Sequence, residues 1–378
     1  MKFDESSLYN IKSDIDGTRC PLFDLAIWKN GLAFKKIDFS ETGRPVIKIA
    51  ELNNGINSKT SFTLGDYGED VFIRWDDLLF SWSGNPQTSI DVFRYRLPDG
   101  WLNQHIFKVT ANEELVTKDY LYYVLKFLKP HFTQIATNKQ TTGLGHVTIA
   151  DLKRMSLVVP SKEVQNQIVS ILKAIDDKIE VNMNINDNLT QQAQALFKEM
   201  FPGILNSNAP DLMEDVASFS NGKKRPQSTG IIPVYGGNGI LAYTTKSNAE
   251  NCIIIGRVGA YCGNTFICTN KCWVSDNAIQ AKSKVSDSQV FIYYLLKNAS
   301  LPSRHIGTGQ PLMTQGILNS IPIVKPSEER IRQFITIAGP SQAIIDEKAI
   351  ENNMLAALRD TLLPKLMSGE IDVSELDI

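Results

Sequence analysis

No run of apolar residues in this 378-residue chain approaches the roughly 20 that a membrane span needs. The opening Met1-Lys2-Phe3-Asp4-Glu5 lacks the apolar core of a secretory signal, so a cytoplasmic location is the expectation. Cysteine is scarce: five in all, an odd number, with Cys20 alone in the first half, which excludes a disulfide framework as the organising device. The four histidines, His105, His131, His146 and His305, are scattered. Common catalytic signatures are missing too. There is no Gly-x-x-x-x-Gly-Lys-Ser/Thr loop, no His-Glu-x-x-His, no Gly-x-Ser-x-Gly and no Asn/Asp-Pro-Pro-aromatic tetrad; Asn85-Pro86 is followed by Gln87. Gly307-Thr308-Gly309-Gln310-Pro311-Leu312 comes nearest to a dinucleotide loop, but it lacks the third glycine and has proline where a helix would open.

Neither sign of charge dominates. A net charge of −2 argues against a protein that neutralises many phosphates alone, and fits one that shares a nucleic acid with other subunits. Cys252, Cys262, Cys268 and Cys272 fall within 21 residues, and four thiolates could hold zinc, but zinc ribbons carry their paired cysteines on knuckle turns. Cys252 runs into Ile253-Ile254-Ile255 and Cys268 follows Phe266-Ile267, so they read as small buried strand residues, and no metal is expected. Asp176-Asp177 and Glu328-Glu329 read as solvated helix faces.

What the chain does have is a repeat. Asp24-Leu25-Ala26, followed by Asn30-Gly31, recurs at an offset of 191 as Asp215-Val216-Ala217 followed by Asn221-Gly222. Tyr120-Leu121-Tyr122-Tyr123-Val124-Leu125-Lys126 recurs at 171 as Phe291-Ile292-Tyr293-Tyr294-Leu295-Leu296-Lys297. The offset then settles at 166, from Thr142-Gly143 and Thr308-Gly309 through Pro160 and Pro326 to Leu196 and Leu362. A drifting and then constant offset describes two duplicated domains, each with a variable front and a fixed rear.

Each front reads as short strands broken by Gly, Asn and Asp, with one helix, over 118–129 in the first copy and 288–297 in the second. Thr117 supplies an N-cap and Pro130 a stop. After Pro160 the texture changes. Over 161–201 the apolar residues Val164, Ile168, Ile171, Ile175, Ile179, Leu189 and Leu196 fall at spacings built from threes and fours, predicting one amphipathic helix of about 60 Å at ~1.5 Å per residue. Its counterpart opens at Ser327 and is expected to kink or break at Gly339-Pro340. Two such helices are natural antiparallel partners, with Asn182, Asn186 and Asn188 either fixing register in the seam or facing solvent.

Two polar loops recur in each copy with different side chains. The first carries Trp82, Ser83, Asn85 and Gln87 in one copy and Arg257, Tyr261 and Asn264 in the other. The second carries Thr142, Gly143 and His146 in one, and His305, Thr308 and Gln310 in the other. Arginine reads guanine edges by two parallel bonds, and asparagine or glutamine reads adenine likewise, so these residues are candidate DNA contacts. Lys223, Lys224 and Arg225 form the densest basic cluster, with Lys35 and Lys36 a weaker one, as candidate phosphate contacts.

With these features the chain resembles the specificity subunit of a type I restriction-modification enzyme. The residues that carry the likeness are Asp24-Leu25-Ala26 with Asn30-Gly31-Leu32-Ala33-Phe34-Lys35-Lys36, Gly256-Arg257-Val258-Gly259 and Ser275-Asp276-Asn277-Ala278, together with Ile175-Asp176-Asp177-Lys178-Ile179-Glu180 and the long run Leu358-Arg359-Asp360-Thr361-Leu362-Leu363-Pro364-Lys365-Leu366-Met367-Ser368-Gly369-Glu370. The likeness covers roughly residues 20–375 and leaves 1–19 without a motif.

It implies an α+β chain: two pseudo-repeated α/β target-recognition domains joined by two long antiparallel helices forming a coiled coil. The expected division is target-recognition domain 1 over 1–160, a central helix over 161–201, a linker and target-recognition domain 2 over 202–326, and a C-terminal helix and tail over 327–378. The resemblance further implies a non-catalytic reader of a gapped, asymmetric double-stranded DNA target. Its implied partners are two modification (methyltransferase) subunits, which hold S-adenosylmethionine, and two restriction (translocase and endonuclease) subunits, which hold ATP and Mg; this chain would bind no cofactor itself. Trp82 stands where the second copy has Arg257, so the first copy lacks that arginine. The rival classes are a stand-alone DNA-modifying enzyme with an unrecognised site and a coiled-coil scaffold without DNA contacts.

Overall fold

The computed structural model describes residues 8–140, 143–307 and 309–373. The chain divides into two units, one comprising 1–177 and 355–378 and the other 178–354. Each unit is therefore one copy of the repeated front plus one end of each long helix.

In the first unit a four-stranded sheet runs in the order β2 (Ala26–Asn30), β10 (Ile106–Ala111), β6 (Leu78–Ser81), β8 (Asp91–Arg94), antiparallel throughout. A second sheet orders β4 (Phe62–Thr63), β3 (Arg44–Ile47), β9 (Gly100–Leu102) and β5 (Phe72–Ile73), with α1 (Ile49–Asn54) leaving its β3 strand. Thr117 caps α2 (Lys118–Phe127) by accepting from the Tyr120 amide. Pro130 does not end the helical region as expected: it sits in the first turn of a further helix, α3 (Lys129–Asn138), where its missing amide hydrogen costs nothing.

In the second unit the order is β14 (Ala217–Asn221), β19 (Ala278–Ser283), β17 (Ala249–Gly256), β18 (Thr265–Val274), β15 (Ile232–Gly236), β16 (Gly239–Thr244). Its helix is α6 (Gln289–Asn298). The first three strands of this order, β14, β19 and β17, match β2, β10 and β6, and the sequence offsets become spatial pairs. In the first unit β1 (Thr18–Pro21) lies antiparallel to β12 (Ser156–Val159), with Cys20 opposite Leu157. In the second, β13 (Asp211–Leu212) lies antiparallel to β20 (Pro322–Ile323), with Asp211 opposite Ile323. The front and rear of each copy are thus laced together where the chain enters a long helix. Just before that strand, Thr148 and Thr314 cap the short helices α4 (Ile149–Arg154) and α7 (Gln315–Asn319).

The long helices are α5 (Lys162–Met200) and α8 (Glu328–Ser368). Ile168, Val169 and Leu172 of α5 and Leu366 and Met367 of α8 belong to the core of the first unit, while Ala193 and Phe197 of α5 and Ile331, Phe334 and Ala338 of α8 belong to that of the second. The expected break at Gly339-Pro340 does not occur, because α8 runs on through it. An interior proline costs a helix about 3 kcal/mol, and here Phe334 and Ala338 are anchored in the core while Gln342, also buried, donates to Asp346 (2.9 Å). Within the second unit Asn182 bonds Glu351 and Asn352, and Asn186 bonds the Ile345 carbonyl, a descending pairing that makes the helices antiparallel. Asn182 is buried in that seam, whereas Asn188 is exposed.

Two further residues differ from the sequence reading. Asp176 is no solvated face: it accepts from Arg359 Nη1 (2.8 Å) and from the Tyr123 hydroxyl (2.8 Å), joining α2, α5 and α8 in the first unit. Residues 8–19 are structural, since Leu8 and Ile11 enter the core, the Asp14 amide donates to the Ser368 carbonyl (2.7 Å) and Arg19 donates to Asn10 (2.6 Å).

Candidate nucleic-acid interface

In each unit the strand that follows the 3-10 turn at its start ends in Asn-Gly. A β-carbon on Gly31 would meet the Asn103 carbonyl oxygen at 2.2 Å, and one on Gly222 the Ser275 carbonyl oxygen at 2.0 Å, so both positions require glycine. This close approach brings the start of the next segment against the end of β9 in the first unit and of β18 in the second. Lys223 there bridges Ser275 and accepts the Trp273 indole N–H on its carbonyl (3.1 Å), its side chain exposed. Lys224 and Arg225 continue the exposed stretch. In the first unit Lys35 and Lys36 are exposed at a separate 3-10 turn, Lys36–Asp38.

The two loops singled out in each copy meet. In the first unit β7 (Ser83–Gly84) pairs with β11 (Gly145–His146), and Trp82 lies 5.9 Å from the His146 ring. Gly143, at positive φ, is exposed near the tip of that loop. In the second unit Leu312 bridges both Ile306 and Val258, and the Gly259 amide donates to the Pro311 carbonyl (3.0 Å). That pairing closes a turn that carries the exposed Gln310, with His305 just before it, against the loop of Arg257 and the 46% exposed Tyr261. Asn264 closes the first loop by accepting the Gly256 amide (2.8 Å) on its backbone. Thr142 and Thr308 lie outside the described residues.

Three candidates do other work. Ser83 is buried. Asn85 caps its own turn, its Oδ1 accepting the Gln87 amide (3.0 Å). Gln87 lines a cleft elsewhere in the first unit with Tyr122, Lys126, Lys129, His131 and Arg359.

Trp82 and Arg257 hold one backbone slot. The Trp82 amide donates to the His105 carbonyl (3.2 Å) and its carbonyl accepts the Val147 amide (2.9 Å); the Arg257 amide donates to the Asn277 carbonyl (3.0 Å) and its carbonyl accepts the Met313 amide (2.8 Å). The side chains in that slot differ in freedom. The Trp82 indole N–H is taken by Asn30 Oδ1 (2.9 Å) and the ring stacks on Phe107 (5.7 Å), whereas the Arg257 guanidinium makes one long bond to the Asp276 carbonyl (3.3 Å).

The rear loop of the first unit is anchored by a buried carboxylate. Asp151 accepts from Lys139 Nζ, the Thr148 amide and hydroxyl and the Tyr9 hydroxyl. Burial opposes its charge, but these bonds hold its pKa below the usual carboxylate range. The sequence reading missed Asp151, His105 and Asn30; the Thr148-x-x-Asp151 spacing of a capping box was the available signal for the first.

The cysteines are packing groups. Cys252 and Cys272 lie 3.6 Å apart, sulfur to sulfur, in a small core with Ile254, Val274 and Cys268. Contact with Cys252, and burial, push the Cys272 thiol up to about 12. Among the described residues there is no cluster of ligands that could hold a metal ion. No described helix is long and apolar enough to cross a membrane.

Tandem units, each presenting a paired-loop surface built on the same backbone frame with different side chains, define a two-domain recognition protein. A family model described as the type I restriction modification DNA specificity domain matches residues 20–191 and 213–338, and the chain belongs to that family. It is 33% identical over 115 residues to the HindI specificity subunit of Haemophilus influenzae, spanning 29% of this chain and 25% of that one. It is 24% identical over 351 residues to the MjaIX specificity subunit of Methanocaldococcus jannaschii, spanning 77% of this chain and 74% of that one. The crystal structure of a type I restriction-modification S subunit from M. genitalium shares the fold, with a TM-score of 0.55 at 18% identity over 94% of this chain and 97% of that one. The chain thus carries the type I DNA specificity domain and spans about a quarter of the HindI subunit and three quarters of the MjaIX subunit.

Proposed function

We propose that this chain is the non-catalytic reading subunit of a type I restriction-modification complex, each unit reading one half of a gapped, asymmetric DNA target. The observation that carries this reading is the slot shared by Trp82 and Arg257: one backbone frame holds different side chains in the two copies, as two different half-sites require. Exposed Lys223, Lys224 and Arg225 beside the second frame supply phosphate contacts that position it without specifying sequence. The near-neutral net charge fits a DNA clamp shared with other subunits.

Two modification subunits bring S-adenosylmethionine and two restriction subunits bring ATP and Mg, this chain binding none of them, and the assembly works in the cytoplasm. Support for docked partners comes from α8, where Ile337 and Ile344, seven residues apart, and Ile350 and Met354, four apart, stand exposed. The test is to assemble the chain with its methyltransferase partner and map methylated adenines. A two-part motif that requires this chain is expected. Methylation by the chain alone, or binding of S-adenosylmethionine by the isolated chain, would replace this reading with that of a stand-alone enzyme.

A further inference from the structure

The slot occupied by Trp82 and Arg257 has a second member in each unit. The carbonyl that accepts the Trp82 amide belongs to His105, the residue immediately before β10, and the carbonyl that accepts the Arg257 amide belongs to Asn277, immediately before β19. These strands are central in the matching triplets, paired on one side to the Asn-Gly strand and on the other to the strand that leads into the first loop. His105 and Asn277 therefore stand at the same point of the two frames. Both side chains are exposed, and neither makes a hydrogen bond within the described residues.

Their chemistry differs in the way two reading heads should. An imidazole and a carboxamide each combine a donor and an acceptor, the requirement for reading a base edge. In the second unit Asn277 sits beside a guanidinium with one long tether, so two groups there face outward. In the first unit Trp82 has spent its only donor on Asn30 and is stacked on Phe107, so it cannot read an edge by hydrogen bonding. Its ring instead packs edge-on against His105 at 5.6 Å. Trp82 is thus a wall that fixes the imidazole, and His105 is the polar group left at the rim. Local turns account for Asn85, and burial accounts for Ser83, but nothing in the fold accounts for His105 or Asn277.

We propose that His105 and Asn277 are base-reading residues, one for each half of the target, with Trp82 and Asn30 as the positioning pair behind His105. This assignment rests on the DNA-reading function proposed above.

The experiment uses the full chain assembled with its methyltransferase subunit and reads methylated positions across a genome. Asn277→Asp keeps the shape and exchanges a donor for an acceptor; it should change the preferred base at one position of one half-site by roughly tenfold or more and leave the other half unchanged. His105→Ala should relax one position of the opposite half by a similar factor. Trp82→Ala, which removes the wall, should relax the same position as His105→Ala and leave the other half unchanged. A melting curve for each variant matching the native one excludes loss of fold as the cause. Unchanged preference in both halves, or a loss shared equally by all sequences, overturns the assignment while leaving two-part recognition intact. A native complex that methylates without a two-part motif overturns the broader reading as well.

Discussion

Asn182 of α5 donates to Asn352 Oδ1 of α8 at 2.9 Å and, from the same nitrogen, to Glu351 at 3.0 Å, while Asn352 donates back to the Ile179 carbonyl at 3.4 Å. This polar knot lies in an otherwise amphipathic seam, where apolar side chains would pack at many registers and a matched pair of amides at few. Asn182→Ala removes a buried amide and its bonds to the half-buried Glu351 and Asn352, and should cost about 1 kcal/mol of stability. Exposed Asn188→Ala should change it by under about 0.5 kcal/mol. Equal losses in urea titrations of the two variants would remove Asn182 from the seam.

Arg359 raises the second prediction. Its partners are Asp176 in the first unit's helix seam and Asp360 beside it. Burial lowers a guanidinium's pKa, but bonds to both carboxylates raise it. Removing one member of a partly buried pair strands the other, so Arg359→Ala should cost about 1–3 kcal/mol, and Arg359→Lys, which loses the second bond, should recover only part. Thermal melting checks the order native, Lys, Ala.

Asp76 sets a pH dependence. It adopts positive φ and pairs with Lys118 (2.7 Å) and Arg96 (2.7 Å); burial would raise its pKa, yet these bonds lower it to about 2. Its folded pKa lies below the unfolded value near 3.9, so its contribution is present above about pH 4 and is lost as pH falls toward 2. Asparagine tolerates the same backbone conformation. Asp76→Asn should therefore be less stable than the native chain at pH 7, with the gap closing between about pH 4 and pH 2. A gap independent of pH would contradict the ion-pair origin.

The chain's start and end supply the fourth. Ser13 and Asp14 meet the end of α8, and Leu366, Met367 and Val373 are core residues of the first unit. Removing residues 359–378 should thus unfold the first unit while leaving the second, rather than merely detach a partner. Limited proteolysis of the truncated chain, followed by mass spectrometry, should show cleavage throughout the first unit.

Much of this was legible in the sequence for identifiable reasons. The 3.6-residue period of Ile168, Ile171, Ile175 and Ile179 marks α5, and duplication marks the paired loops. What stayed hidden depended on long-range contact. Nothing local distinguishes Asp176 beside Arg359 from Asp177, which is exposed. Nothing local told that Gly339-Pro340 would be held helical between the core residue Ala338 and the buried Gln342, or that Gln87 would line a cleft that Trp82, five residues before it, does not. His105 stood in sequence as a scattered histidine, and only the matched backbone bonds gave it a counterpart.

The central claim is two-part DNA reading, and one measurement bears on it most directly: sequencing of methylated adenines made by the assembled methyltransferase with native chain, Arg257→Ala, and Lys223→Ala. The account predicts a two-part gapped motif, relaxed by about 1–3 kcal/mol at one position of one half for Arg257→Ala, and unaltered in sequence but uniformly weakened for Lys223→Ala. A continuous motif, or both halves relaxed together by Arg257→Ala, would contradict it.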